Sequence, residues 1–180
     1  MAMNPASLRL LADGLTTGRA LLGLPLILSL AGGELRLAWI LLVLGGISDW
    51  GDGFIARLSG GGSQWGAKLD PLTDKILLLA PLLWLAQQER LPLWALWLLI
   101  SRELMISSWR GNLKGGGPAS LAGKGKTLLQ FVAILLMLWP SPWAAPQLLN
   151  QIHRFGWYLF WPSLLLAISS ALDYLKQKSI

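Results

Sequence analysis

Asp49, Asp52, Asp70 and Asp74 place four of the chain's nine acidic residues in one short segment. On a helix turning 100° per residue, Asp49 and Asp52 stand about 60° apart and Asp70 and Asp74 about 40° apart. Each pair therefore shares a face. Only a short Gly-rich connection separates the pairs, so their helices should be antiparallel neighbours with the carboxylates converging at one end. Like charges brought together raise one another's pKa, and an acid inside a membrane span costs ~2.5–3.5 kcal/mol or more. A hard divalent cation, which takes oxygen ligands, would offset that cost, and Mg²⁺ would keep places for water and phosphate oxygens.

The neighbouring residues fit a phosphate ligand. Asp49, Gly53 and Arg57 follow at i, i+4 and i+8 along one stripe, with Asp52 and Ala56 on the next. Gly53 and Ala56 keep the surface low enough for a bulky group to reach the backbone, and Arg57 could meet a phosphate. Plainer roles exist for each. Asp70 before Pro71 is also a helix N-cap with Pro at the first helical position. Gly53 and Ala56 could serve helix packing alone, and Arg57 could be a membrane-surface anchor.

The elements that carry these residues follow from composition. The chain has 180 residues, 54% hydrophobic, 13% charged, and no Cys. That is about half the usual charged share of a soluble domain. At ~20 apolar residues per span, the apolar stock serves five or six membrane helices. The lack of Cys removes disulfides, thiolate metal sites and cysteine nucleophiles. Spans are expected at 15–31, 37–57, 67–87, 91–110, 122–140 and 155–175, with residues 4–13 as a short interfacial helix. No cleavable signal peptide, internal repeat or domain break is expected, so residues 1–180 read as one all-α polytopic membrane domain of six transmembrane helices plus a short N-terminal juxtamembrane helix.

The net charge of +6 orients it. Six spans put both termini on one side, and that side takes 12 of the 15 Lys and Arg; Arg36, Arg90 and Arg154 fall on the other. The bias points both termini and the Gly-rich loops to the cytoplasm. Excess Lys and Arg then mean topology and anionic lipid, since no basic run or soluble fold supports nucleic-acid binding. Trp39, Trp94, Trp139, Trp143 and Trp157 suit an outer aromatic belt, and His153 lies on that side, remote from the aspartates. Arg102 and Arg110 share one helix face at i and i+8, Lys124 and Lys126 open the next helix, and Arg19 lies on the same side. These could hold an anionic substrate group or simply set topology; Arg102, beside Glu103, lies deepest, where an idle charge is least tolerated.

The whole segment resembles the signature of the CDP-alcohol phosphatidyltransferase family, Asp-x2-Asp-Gly-x2-Ala-Arg-x8-Gly-x3-Asp-x3-Asp. It is met at Asp49, Asp52, Gly53, Ala56, Arg57, Gly66, Asp70 and Asp74 without departure. Within the family the likeness is greatest to the phosphatidylglycerophosphate synthases, through Leu15-Thr16-Thr17-Gly18-Arg19, Ser101-Arg102-Glu103 and Gly123-Lys124-Gly125-Lys126-Thr127. Ser101 replaces an alanine of that pattern.

The resemblance implies a six-helix membrane enzyme of phospholipid biosynthesis, usually a homodimer, in a bacterial-type inner membrane with its active site facing the cytoplasm. Such an enzyme would transfer the phosphatidyl group of CDP-diacylglycerol to sn-glycerol 3-phosphate, giving phosphatidylglycerophosphate and CMP. Asp49, Asp52, Asp70 and Asp74 would hold one or two Mg²⁺ (or Mn²⁺) ions, with Asp74 also the general base. Asp49, Asp52, Gly53, Ala56, Arg57 and Gly66 would line the CDP site. Thr16, Arg19, Arg102, Arg110, Lys124 and Lys126 would serve the acceptor's phosphate. The same chemistry with phosphatidylglycerol, inositol phosphate or serine as acceptor is the nearest alternative. A divalent-cation transporter is the alternative of another class, disfavoured by the absence of paired midplane charges and of an inverted repeat.

Overall fold

The computed structural model describes residues 5–58, 64–111 and 121–176, and within them the side chains of 13–49, 51, 73, 75–106 and 125–172. Among the described residues there are α-helices, one short 3-10 helix and no strand. The helices are α1 (Pro5–Ala31), α2 (Leu35–Leu58), α3 (Gln64–Gln87), α4 (Leu93–Gly111), α5 (Leu121–Met137) and α6 (Pro146–Lys176); the 3-10 turn is Ser141–Trp143. The chain forms two compact units, Met1–Trp84 and Leu85–Ile180.

Helix ends follow the capping chemistry of the residues present. At the end of α1 the Gly33 N–H donates to Leu30 O and the Glu34 N–H to Ser29 O, with Gly33 at φ 79°. This is a Schellman motif, and its left-handed residue is the glycine it favours. The end of α3 repeats the motif with Glu89 at φ 56°, the Glu89 N–H donating to Ala86 O and the Arg90 N–H to Leu85 O. A side chain in that conformation carries strain that glycine does not. Glu89→Gly is therefore expected to raise stability by about 0.5–1 kcal/mol, read as a higher unfolding midpoint.

Two boundaries differ from the sequence expectation. The interfacial helix expected at 4–13 and the span expected from 15 are one continuous helix, α1. Gly14 alone does not break it, because one glycine costs only about 1 kcal/mol in a helix interior. The last helix starts at Pro146 rather than near 155. Pro146 occupies the first helical position, where its missing N–H is no loss, and the polar run Asn150–Gln151 and His153–Arg154 lies along the helix.

In the first unit α1 packs on α2, burying Leu26, Leu30, Ala38 and Leu42. α3 seats where side chains are absent: a Cβ on Gly23 would come within 3.2 Å of Ile76 Cγ2, and one on Gly45 would run into the Leu77 side chain. In the second unit α5 and α6 approach closely at Gly156, where a Cβ would sit 2.8 Å from Ala133 O and 2.9 Å from Met137 N. Those are backbone atoms, which cannot swing aside as a side chain can. Gly156→Val is expected to cost about 3 kcal/mol or more by forcing the helices apart, measured as loss of folded protein in detergent.

Apolar residues also cover the outside. Leu21 is 70% exposed and Leu93 74%, and Leu24, Leu28, Trp97, Leu104, Phe155 and Leu165 are exposed too. Asp13–Ala31 and Pro146–Leu172 are long and apolar enough to cross a membrane. Outward leucine on such helices is what a lipid solvent permits and water does not.

Candidate active site

In the first unit, α2 is helical through Asp49 and Asp52, and α3 through Asp70 and Asp74. The same-face spacing of each pair is therefore realised in the backbone. The side chains of Asp52, Asp70 and Asp74, and of Gly53, Ala56, Arg57 and Gly66, lie outside the described residues.

Asp49 shows how the first carboxylate is held. Arg19 Nη1 donates to Asp49 Oδ1 at 2.7 Å and Arg19 Nε to Ser48 Oγ at 3.3 Å. The Ser48 hydroxyl in turn donates to Gly45 O at 3.0 Å. The Arg19 side chain is wholly buried while that of Asp49 is 48% exposed. The pair thus runs from a dry guanidinium between α1 and α2 to a carboxylate that reaches outward. Thr16, one turn before Arg19 on the same face, is buried. On α3, Thr73 is buried beside Asp74 in the chain.

The second unit holds another charged cluster. Arg102 Nε donates to Ala167 O at 2.9 Å, Nη1 to Glu103 Oε1 at 2.8 Å, and Nη2 to Ser170 Oγ. Lys126 Nζ of α5 donates to the same Glu103 Oε1. Arg102 and Lys126, singled out by sequence, are thus brought together, through a carboxylate the sequence reading left out of the site. Ser170 had no signal: one serine on an apolar helix looks like any other. Arg110 lies on α4 and Lys124 on α5, with side chains outside the described residues. His153 Nε2 donates to Trp139 O at 3.0 Å, and Arg90 Nη1 donates to Met137 O at 3.2 Å, both at the α5–α6 connection. Nearby, Trp161 lies 5.5 Å from Trp94 and 5.3 Å from Trp157, centroid to centroid.

The donor set suits a hard cation. The segment offers carboxylate oxygens, the chain has no thiolate, and Asp49 presents a partly solvated carboxylate anchored from behind. These are the ligands of Mg²⁺, Mn²⁺ or Ca²⁺ rather than of softer metals.

An all-helical membrane chain with aspartate pairs on two consecutive helices now has a class. It belongs to the CDP-alcohol phosphatidyltransferase family, whose model matches residues 9–169. It is an integral membrane protein, and its family generally uses divalent metal ions. Among relatives, it is 37% identical over 102 residues to a CDP-diacylglycerol–glycerol-3-phosphate 3-phosphatidyltransferase of Bacillus subtilis, covering 55% of this chain and 53% of that protein. It is 33% identical over 139 residues to a probable phosphatidylglycerophosphate synthase of Mycobacterium tuberculosis, covering 76% of this chain and 63% of the relative. A CDP-diacylglycerol–glycerol-3-phosphate 3-phosphatidyltransferase of Shigella flexneri is 31% identical over 148 residues, 77% of this chain and 76% of the relative. The chain thus spans between about half and three-quarters of the length of these relatives.

Proposed function

We propose that the protein transfers the phosphatidyl group of CDP-diacylglycerol to sn-glycerol 3-phosphate, releasing CMP. The observation that carries this reading is the complete eight-position signature on α2 and α3; the names of the relatives agree with it. Helix register supports convergence. Consecutive helices joined by so short a connection run antiparallel, and Gly45 meets Leu77. Four residues on along α2 and four back along α3, Asp49 is level with Thr73. Three more in each direction set Asp52 level with Asp70.

In this reading Asp49, Asp52, Asp70 and Asp74 would hold one or two Mg²⁺ or Mn²⁺ ions. The metal would neutralise charge on the pyrophosphate and make the acceptor hydroxyl more acidic. Asp74 accepts the proton of that hydroxyl. The hydroxyl oxygen forms a bond to the phosphorus bearing diacylglycerol, the bond to the bridging oxygen breaks, and CMP departs with that oxygen. Gly53, Ala56 and Gly66 leave room for CDP, and Arg57 contacts its phosphate. Arg19 is best read as the residue that aims Asp49, with Thr16 beside it. Arg102, Arg110, Lys124 and Lys126 serve the acceptor's phosphate.

The membrane arrangement belongs to the same proposal: six spans in a bacterial-type inner membrane, both termini and the active site cytoplasmic, and pairing into homodimers as the family resemblance implies. The 12-to-3 split of Lys and Arg supports the orientation.

The test is CMP release by the purified protein in detergent with CDP-diacylglycerol and Mg²⁺, against a panel of acceptors. Release with glycerol 3-phosphate, abolished by a chelator, is expected. Release only with another acceptor would reassign the substrate, and none with any acceptor would overturn the enzyme reading.

A further inference from the structure

Glu103 carries out a task that neither the signature nor the relatives' names assign. Its Oε1 accepts from two cations on two helices, Arg102 of α4 and Lys126 of α5. The side chains of Arg102 and Lys126 are only 10% and 6% exposed, and that of Glu103 is 22% exposed. Two cations so buried and so close would repel each other and lose hydration; a carboxylate between them removes most of that cost.

Arg102 does not depend on Glu103 for its position. Its Nε is held by Ala167 O and its Nη2 by Ser170 Oγ, both on α6. Ser170 Oγ also donates to Ala167 O at 3.2 Å, which turns its lone pairs toward the guanidinium. Glu103 is the most exposed member of the three and so the one with room to withdraw. Arg102, Lys126 and Glu103 together carry one net positive charge. A phosphate dianion offers more charge and more acceptor oxygens than one carboxylate, and it suits the same donors.

We propose that Glu103 is a resident counter-ion that holds the place of the acceptor's phosphate between Arg102 and Lys126 and is exchanged for it on binding. This rests on the reading of Arg102 and Lys126 as acceptor-phosphate residues. Glu103 is thus a positioning and specificity residue. It keeps two buried cations assembled without substrate, and it favours a dianion strong enough to displace it over weaker anions.

Glu103→Gln tests this, because the amide keeps the shape and an acceptor oxygen but drops the competing charge. The KM for glycerol 3-phosphate is expected to fall roughly three- to ten-fold with kcat within about two-fold of the parent protein. Inorganic phosphate, measured by its own binding to the metal-free full-length protein, should bind more tightly by a similar factor. Glu103→Asp, which keeps the charge but draws it back by one methylene, should fall between the two. A KM that is unchanged or raised in Glu103→Gln, with phosphate binding no tighter, would overturn the proposal and leave Glu103 a strut. If Glu103→Gln does not fold, Glu103→Asp decides by the same two readouts. The phosphate arm needs no turnover, so its failure is distinguishable from failure of the phosphatidyltransferase reading.

Discussion

Asp74→Asn is expected to lower CMP release by about 10²–10⁴-fold, the usual worth of a general base, while affinity for CDP-diacylglycerol changes far less. Asparagine has the size of aspartate and keeps one oxygen for a metal, but it cannot take the acceptor's proton. The backbone there belongs to α3, anchored on both sides of the residue by buried neighbours: Thr73 before it and Leu77, seated against Gly45, after it. The substitution should therefore leave the fold intact. Single-turnover CMP release and equilibrium binding of CDP in Mg²⁺ separate the two effects. Parent-like turnover in the variant would remove Asp74 as the base, and a parallel collapse of binding would make it chiefly a ligand.

The second large effect is an asymmetry at the Arg19–Asp49 pair. Removing one member of a buried pair costs about 3–5 kcal/mol because the other is left charged in a dry site. Here the two members are unequally dry: the Arg19 side chain is wholly buried and that of Asp49 is half exposed. Asp49→Ala takes one carboxylate contact from a guanidinium that water cannot reach and that keeps Ser48 Oγ, and should cost about 2–3 kcal/mol. Arg19→Met leaves a carboxylate that water can solvate, and keeps apolar bulk where the arginine stem packed, so about 1–2 kcal/mol is expected. Asp49→Asn should lie between, since its amide oxygen can still accept from Nη1. Unfolding midpoints in detergent rank the three, and Arg19→Met as the least stable would refute the account. All three should lose activity, because each disturbs a residue read as a metal ligand or its support.

Some of this was legible without coordinates. Spacings of three and four residues report helix faces directly, so the pairing of Asp49 with Asp52, and of Asp70 with Asp74, needed only that α2 and α3 be helical. The helix bounds came within a few residues of the expected ones, 37–57 against Leu35–Leu58 and 67–87 against Gln64–Gln87. The early start of α6 was hidden because Asn150, Gln151, His153 and Arg154 read as a polar connection. Polar side chains do not stop a helix whose first position is a suitably placed proline. The fusion of the N-terminal segment into α1 was hidden because Gly14 looks like a break but is too weak to be one.

The basic residues show where local reading ends. From sequence, Arg19 and Lys126 are cations near helix ends, suited to topology or to phosphate, and Arg102 is a deeper one beside Glu103. The structure gives each a carboxylate: Asp49, thirty positions from Arg19, and Glu103, which gathers Arg102 and Lys126. No periodicity links Arg19 to Asp49 or Lys126 to Glu103. Their meeting depends on which helix surfaces dock, and docking is decided by small contacts such as Gly45 against Leu77 and Gly156 against the backbone of α5. The sequence by itself determined the all-helical class, the family and the oxygen-donor chemistry of the aspartates, because these rest on residue type and on spacings within a turn or two. Only the tertiary structure decided which anion each buried cation faces, because charge pairing in a dry interior follows the packing of whole helices.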